Sequence, residues 1–163
     1  MHGPALFIDP TSVMFAKLLL AMFLGALLGT ERAVLAKQAA GTRTYSLISL
    51  GAALFILTSS YVDSAYLGVV NFEPLKVAAA IITGIGFVGG GLIIFRGHTV
   101  HGVTTAAGLW IAAGVGIAVG YGLYALASFA TLLALVIFTV MWYLENRFKH
   151  WFEDVQDDLH LKL

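Results

Sequence analysis

Five long runs of apolar residues constrain this chain more than any other feature of its sequence. They lie at about 13–29, 44–61, 75–95, 103–120 and 123–144, and each is long enough for a helix to cross the hydrocarbon of a bilayer. Apolar and polar residues do not alternate along these runs as they would in the strands of a membrane barrel, so helices must satisfy the backbone groups inside lipid. We therefore predict an all-α fold, a polytopic transmembrane bundle of about five helices.

Composition agrees with a membrane protein. Hydrophobic residues make up 60% of the chain and charged residues only 11%, which is more apolar surface than a soluble domain of this length could bury. The first expected partner is thus the lipid bilayer. Because the formal net charge is zero and cysteine is absent, we expect no nucleic-acid partner and no thiolate metal site. Two nearby histidines are too few ligands for a metal site, so we expect no metal centre, and we expect no cofactor.

The segments outside the five runs are short. Residues 1–12 lack the basic stretch of a secretory signal, so the first run is expected to stay in the mature protein, with 1–12 as an extracytoplasmic segment. Gly120 and Gly122 leave so short a connection that the last two spans should form a tight antiparallel hairpin within the domain 13–144. Residues 145–163 mix both charges with aromatic residues, which favours a cytoplasmic juxtamembrane tail with an amphipathic helix.

Basic residues predict the orientation, because cytoplasmic loops accumulate Lys and Arg. Seven of the nine would share one side of the membrane, and only Lys17 and Lys76 would face the other. The seven are Arg32, Lys37, Arg43, Arg96, Arg147, Lys149 and Lys162. The N-terminus is therefore expected outside and the C-terminus in the cytoplasm.

Small residues recur four apart on several runs, as they do where membrane helices approach closely. These stripes predict tight packing of helices one, three and four. The glycines expected at the helix interfaces are Gly25, Gly29, Gly84, Gly86, Gly89, Gly90, Gly108 and Gly116. The segment 84–89 also fits the dinucleotide pattern G-x-G-x-x-G, but it lies within an apolar span with no acidic residue until Glu145, so helix packing is favoured over nucleotide binding.

Charged residues at the edge of the hydrocarbon are costly and need a partner or a function. Glu31 and Arg32 end the first span, while Arg43 and Thr44 begin the second across a loop of about ten residues, so Arg43 could reach Glu31 in a charge-assisted hydrogen bond. The alternative is anchoring at the interface, which is favoured for Lys37, Lys76 and Lys149.

A second polar group lies between spans three and four. Arg96 precedes two histidines that could titrate near neutral pH or could simply be solvated or meet lipid headgroups. Thr104, Thr105 and Trp110 could join helices through hydrogen bonds or line a hydrophilic path. No catalytic triad, phosphate-binding loop or zinc motif is present, so we do not expect an enzyme.

Four segments in a fixed order, covering roughly residues 15 to 122, resemble the membrane domain of MgtC/SapB-type proteins. They are 25–32 (GALLGTER), 41–44 (GTRT), 84–91 (GIGFVGGG) and 102–110 (GVTTAAGLW). The resemblance implies a five-span protein of the bacterial inner membrane whose C-terminus is cytoplasmic. It also implies a link to magnesium limitation, acid and survival inside host cells, and to other membrane machinery such as the ATP synthase.

By matching position, the resemblance marks Glu31, Arg32, Arg43, Arg96, Thr104, Thr105 and Trp110 as the functional polar group. This sequence has Thr104 where some members have Asn, and we expect it to represent the membrane domain without the cytoplasmic C-terminal domain of longer members. Two functions remain open. One is a non-enzymatic regulator that binds other integral membrane proteins, and the other is a cation channel or transporter subunit that acts as a homo-oligomer.

Overall fold

The computed structural model describes residues 10–35, 38, 40–65 and 73–160. Residues 1–9, Lys37 and Lys162, which entered the predictions above, lie outside the described residues. The described chain forms five helices and one two-stranded hairpin, and each helix contains an apolar stretch long enough to cross a membrane, so the predicted helical bundle is confirmed. The elements are α1 Pro10–Val34, α2 Thr42–Ala65, α3 Pro74–Leu92, β1 Ile94–Arg96, β2 Thr99–His101, α4 Val103–Gly120 and α5 Tyr124–His160.

Helix α4 is the centre of the bundle, since it contacts each of the other four helices. Glycines on α1 and α4 let these helices approach α2 closely. A Cβ at Gly25 would lie 2.6 Å from the Tyr45 carbonyl oxygen, and one at Gly29 would lie 2.6 Å from the Thr42 Cα. A Cβ at Gly116 would collide with the Ser49 carbonyl oxygen. Any side chain at these positions would push α1 or α4 away from α2.

Helix α3 is peripheral, contrary to the prediction that it packs as tightly as the first and fourth spans. It lies against α4 and touches α2 less extensively, and only 11% of its span is buried. Nothing lies within 4 Å of a Cβ built at Gly84, Gly86 or Gly90. A Cβ built at Gly89 would lie 3.4 Å from the Ala106 Cβ. Small residues permit close approach but do not create it, so three of the four predicted α3 glycines face outward.

The third span is shorter than the predicted 75–95. Helix α3 ends at Leu92, and residues 94–96 pair instead with residues 99–101 as an antiparallel hairpin. Three consecutive glycines weaken the last turn of α3, while Ile94 and Phe95 favour extended backbone. Gly97, at φ 60, provides the left-handed residue in the two-residue turn.

Helix α5 passes without interruption through the segment predicted to be a separate tail. It covers 37 residues, or about 55 Å, although its apolar part ends at Leu144. No glycine or proline occurs between Tyr124 and His160, so nothing in the local sequence ends the helix at the membrane edge. The connection to α4 is the tight glycine turn expected, with Gly122 at φ 82.

Candidate functional site

A group of polar residues, all buried except the exposed Gln38, joins α1, α2, α4 and the loop between α1 and α2. Its members are Glu31, Arg32, Gln38, Tyr45 and Thr105, which we call the polar cluster. The cluster lies near the C-terminal end of α1 and the N-terminal ends of α2 and α4. Close approach of α1 and α4 to α2 at their glycines brings these residues together.

Arg32 is the central cation of the cluster and is only 5% exposed. Its Nη2 donates to the Thr105 hydroxyl at 3.4 Å, and its Cζ lies 4.8 Å from the centre of the Phe138 ring on α5. A guanidinium over an aromatic face gains a cation–π attraction that strengthens as water is excluded. Arg32 therefore links α1 to both α4 and α5.

Thr105 is the residue through which the cluster is connected. Its hydroxyl donates to the Gln38 Oε1 at 3.3 Å, and its backbone carbonyl accepts a 3.2 Å hydrogen bond from the Tyr45 hydroxyl. The Tyr45 ring is fully buried and lies against Gly108, where a Cβ would collide with its hydroxyl. Gly108 thus makes the room that allows Tyr45 to reach Thr105.

Glu31 is buried beside this network without joining it. The side chain is 8% exposed, and neither carboxylate oxygen has a hydrogen-bond partner among the described residues. Arg32 Nε also lacks a partner in the described part of the chain, and so does the Oγ of Ser49, which lies one helical turn after Tyr45 on α2. A buried carboxylate with no partner is unfavourable unless a proton, a water molecule or a cation satisfies it.

The proposed contact between Arg43 and Glu31 is not formed. Arg43 is exposed, and it makes no ion pair with Glu31, because α2 turns this side chain outward. Arg43 and the half-buried Thr44 instead line a surface depression of about 330 Å³ together with Gln38. The depression shares Gln38 with the polar cluster, and none of the buried members of the cluster lines it.

Three other sequence-predicted residues do not enter the cluster. Thr104 is exposed although its neighbour Thr105 is buried, because successive helical residues point in different directions. Trp110 is 51% exposed and faces outward from α4, and Arg96 lies in the exposed β1–β2 hairpin. The polar residues that the resemblance marks as functional are therefore divided between the cluster and the periphery.

Three residues of the site were not identified from the sequence. Tyr45 and Phe138 lie in apolar spans, and Gln38 lies in a loop of small residues, so none carried a charge to single it out. The signal that could have found Tyr45 is its position directly after Arg43 and Thr44 at the start of a span. Nothing in the local sequence of α5 indicates that Phe138 meets Arg32.

An apolar layer separates the polar cluster from the opposite end of the bundle. Its fully buried members include Leu28, Ile56, Leu109 and Val119. At the far end, Lys17 donates to the Gly120 carbonyl at 3.0 Å. Lys17 and Arg32 are fifteen residues apart on α1, about 22 Å along the helix axis.

Lys17 faces a second depression of about 500 Å³ that Ser60, Tyr61 and Tyr121 also line. Burial raises the pKa of the Tyr121 phenol above its ordinary value. The two ends of the bundle thus each have a polar recess, with packed hydrocarbon between them.

The fold and the site define a class: a polytopic membrane protein whose helices are joined by a polar cluster, with buried Glu31 and Arg32 on its first helix. Comparison of the sequence with known families identifies the family. The sequence model of the MgtC family matches residues 18–147, and the chain belongs to this family.

Named relatives agree with this family. The chain is 36% identical over 132 residues to the Escherichia coli K12 protein named "Putative magnesium transporter YhiD", a match that covers 80% of this chain and 61% of the relative. It is 44% identical over 90 residues to "Protein MgtC" of Salmonella typhimurium LT2, covering 55% of this chain and 36% of the relative.

A third relative is "Protein MgtC" of Brucella abortus, 42% identical over 87 residues that cover 53% of this chain and 34% of the relative. The chain therefore matches about three fifths of YhiD and about a third of each MgtC protein. No solved structure matches the chain.

Proposed function

We propose that this protein is a non-enzymatic regulator of other integral membrane proteins in the bacterial inner membrane, acting under magnesium limitation, acid or intracellular stress. The observation that carries the proposal is the apolar layer between the polar cluster and Lys17. A path for a hydrated cation through one copy of the chain would have to cross side chains such as Leu28, Ile56 and Val119, which are fully buried. Packed hydrocarbon at this depth opposes the passage of charge.

The lipid-facing surface supports a binding role. A groove of about 710 Å³ lies between α2 and α3, and nearly all its surface is apolar. Small residues from three helices line it, among them Gly51, Ala80, Gly84 and Ala113. A transmembrane helix of another protein could approach the backbone closely along this groove, since small residues allow such approach in lipid.

The alternative function is a channel or transporter subunit for magnesium or another cation, formed by a homo-oligomer. The name of the E. coli relative favours it, and so does the unpartnered Glu31 carboxylate, which has the oxygen donors that Mg²⁺ prefers. Arg32 beside that carboxylate counts against a cation there, because it already supplies a positive charge.

Flux measurements distinguish the two functions. The purified protein, a Glu31→Gln variant and an Arg96→Ala variant would be reconstituted in liposomes, and magnesium, potassium and proton flux would be recorded. We expect flux no greater than in empty liposomes for all three proteins. Flux above that level for the natural protein, reduced in the Glu31→Gln variant, would replace the regulator with the transport alternative.

A co-reconstitution experiment tests regulation directly. The protein would be combined with a bacterial ATP synthase, the partner that the family resemblance suggests, and ATP-driven proton uptake into the vesicles would be followed. We expect the natural protein to change the rate of uptake, and a Gly84→Leu variant, which fills the α2–α3 groove, to change it less. The matched control is Leu132→Phe on the exposed face of α5. Equal effects of both variants would remove the groove from the proposal.

A further inference from the structure

The β1–β2 hairpin between α3 and α4 has an apolar face that no other part of the described chain covers. The register pairs Phe95 with Val100 and Arg96 with Thr99. Residues opposite each other in an antiparallel pair project to the same side, and the next pair projects to the other side. Phe95 and Val100 therefore share one face, and Arg96 and Thr99 share the opposite face.

The two faces differ in their chemistry. Phe95 is 73% exposed and Val100 is 48% exposed, although both are hydrophobic. On the opposite face, the Thr99 hydroxyl lies 3.1 Å from the His101 Nε2, and the exposed Arg96 guanidinium is on the same side. The hairpin is thus amphipathic, with Ile94 as the one apolar residue on its polar face.

The lengths of the neighbouring helices place the hairpin at the membrane boundary. Helix α3 has 19 residues and α4 has 18, which correspond to about 28 Å of helix in each case. This length matches the hydrocarbon thickness of about 30 Å, so the connection between the two helices falls at the level of the headgroups. Exposed Val103, the first residue of α4, continues the lipid-facing surface up to the hairpin.

A short hairpin of this kind is only marginally stable by itself in water. Every residue of β1 and β2 is exposed, so helix packing does not hold the two strands. Within the hairpin, the Thr99 hydroxyl donates to the Arg96 carbonyl at 2.9 Å, and Gly97 closes the turn. An outside surface must cover Phe95 and Val100 if the hairpin is to be stable.

We propose that this surface is the bilayer itself, and that the hairpin is an anchor for anionic phospholipid. Phe95 and Val100 insert at the boundary between acyl chains and headgroups, and Arg96 on the polar face binds lipid phosphate. Two features select lipid as the occupant. The apolar face continues the lipid-facing surface of α4, and the Arg96 charge complements anionic headgroups. This anchor does not depend on whether the protein regulates or transports.

The absence of cysteine from the chain allows a direct test with single labels. Phe95→Cys and Thr99→Cys variants would carry a nitroxide label in nanodiscs of phosphatidylcholine with or without phosphatidylglycerol. Collisions with oxygen, which partitions into lipid, and with a water-soluble nickel chelate would then be measured. We expect oxygen to dominate at position 95 and nickel at position 99. A Trp110→Cys variant on the exposed face of α4 provides the reference for deep lipid.

The charge contribution is tested by adding Arg96→Gln to the Phe95→Cys variant. We expect the label to move deeper when phosphatidylglycerol is added to the parent, and this shift to be lost with Arg96→Gln. Equal nickel access at positions 95 and 99 would overturn the anchor. Shielding of position 95 from both reagents would also overturn it, because a protein surface, including a second copy of the chain, would then cover Phe95. All the substituted positions are exposed, and unchanged circular dichroism would verify the fold.

Discussion

Arg32 shows how one buried charge organises this bundle. Its guanidinium contacts residues from two other helices, Thr105 and Phe138, while the carboxylate of its neighbour Glu31 has no hydrogen-bond partner among the described residues. The Glu31 carboxylate and the Arg32 guanidinium carry opposite charges and are both removed from water, so each lowers the cost of burying the other. Removing one of them leaves the other uncompensated.

An Arg32→Met variant keeps much of the stem but leaves Glu31 as an uncompensated buried charge, so we expect it to lower the free energy of unfolding by about 3 to 5 kcal/mol. The double variant Glu31→Gln with Arg32→Met removes both charges, and its loss should be clearly smaller. Unfolding in mixed micelles, followed by circular dichroism, measures both values.

Equal losses in the single and double variants would contradict the electrostatic coupling of Glu31 and Arg32. They would show that the Arg32 contacts with Thr105 and Phe138 account for its whole contribution. A Thr105→Val variant then serves as the control, because it removes the hydroxyl that joins Arg32 to Gln38 without changing the formal charge.

At the scale of elements, glycine has two different roles in the same bundle. On α1 and α4, glycines face the α2 backbone, and a methyl group would force the helices apart. On α3, Gly84 and Gly86 face outward with nothing within 4 Å of a built Cβ. The same residue type therefore permits close packing in one helix and lowers intrinsic helix stability in another.

Gly25→Ala places a methyl group 2.6 Å from the Tyr45 carbonyl oxygen and should lower the free energy of unfolding by about 1 to 3 kcal/mol. Gly84→Ala, the matched control on an open face, should be neutral or stabilise the protein by up to about 1 kcal/mol. Thermal unfolding in the same detergent ranks the variants. A large loss in Gly84→Ala alone would indicate that a partner or a second copy packs on α3.

At the scale of the whole molecule, the polar cluster and the β1–β2 hairpin lie at the same end of the bundle, and Lys17 and Ser60 lie at the other end. The distribution of basic residues predicts that the first end faces the cytoplasm. On this orientation, the depression beside Gln38 opens to the cytoplasm, where the magnesium level and pH of the cell would reach it.

The orientation can be tested with the same cysteine-free chain. In intact cells, a membrane-impermeant maleimide should label a Ser60→Cys variant, whereas a Thr99→Cys variant should react only after the membrane is permeabilised. Both positions are exposed on the surface of the protein. The reverse pattern would place the polar cluster on the outer side and would contradict the predicted orientation.

How much of this protein follows from sequence can be judged from particular elements. Four of the five spans were predicted to within a few residues at most ends, because continuous apolar length is a local property. The third was predicted too long, since Ile94 and Phe95 are as apolar as a helix requires and only pairing with β2 makes them a strand. Hydropathy cannot distinguish these two states.

The sequence alone determined that the chain is a five-helix membrane protein and that Glu31, Arg32 and Thr105 need an explanation, because burying charge or hydroxyl groups in an apolar span is costly wherever it occurs. The packing of the helices determines that Arg32 meets Phe138, that Tyr45 and Gln38 complete the cluster, and that Arg43, Thr104 and Trp110 remain outside it. The physical reason is that the residues facing each other depend on the rotation and separation of whole helices. Close contacts at Gly25, Gly29, Gly108 and Gly116 set those separations, and contacts between distant parts of a chain are not visible in either segment by itself.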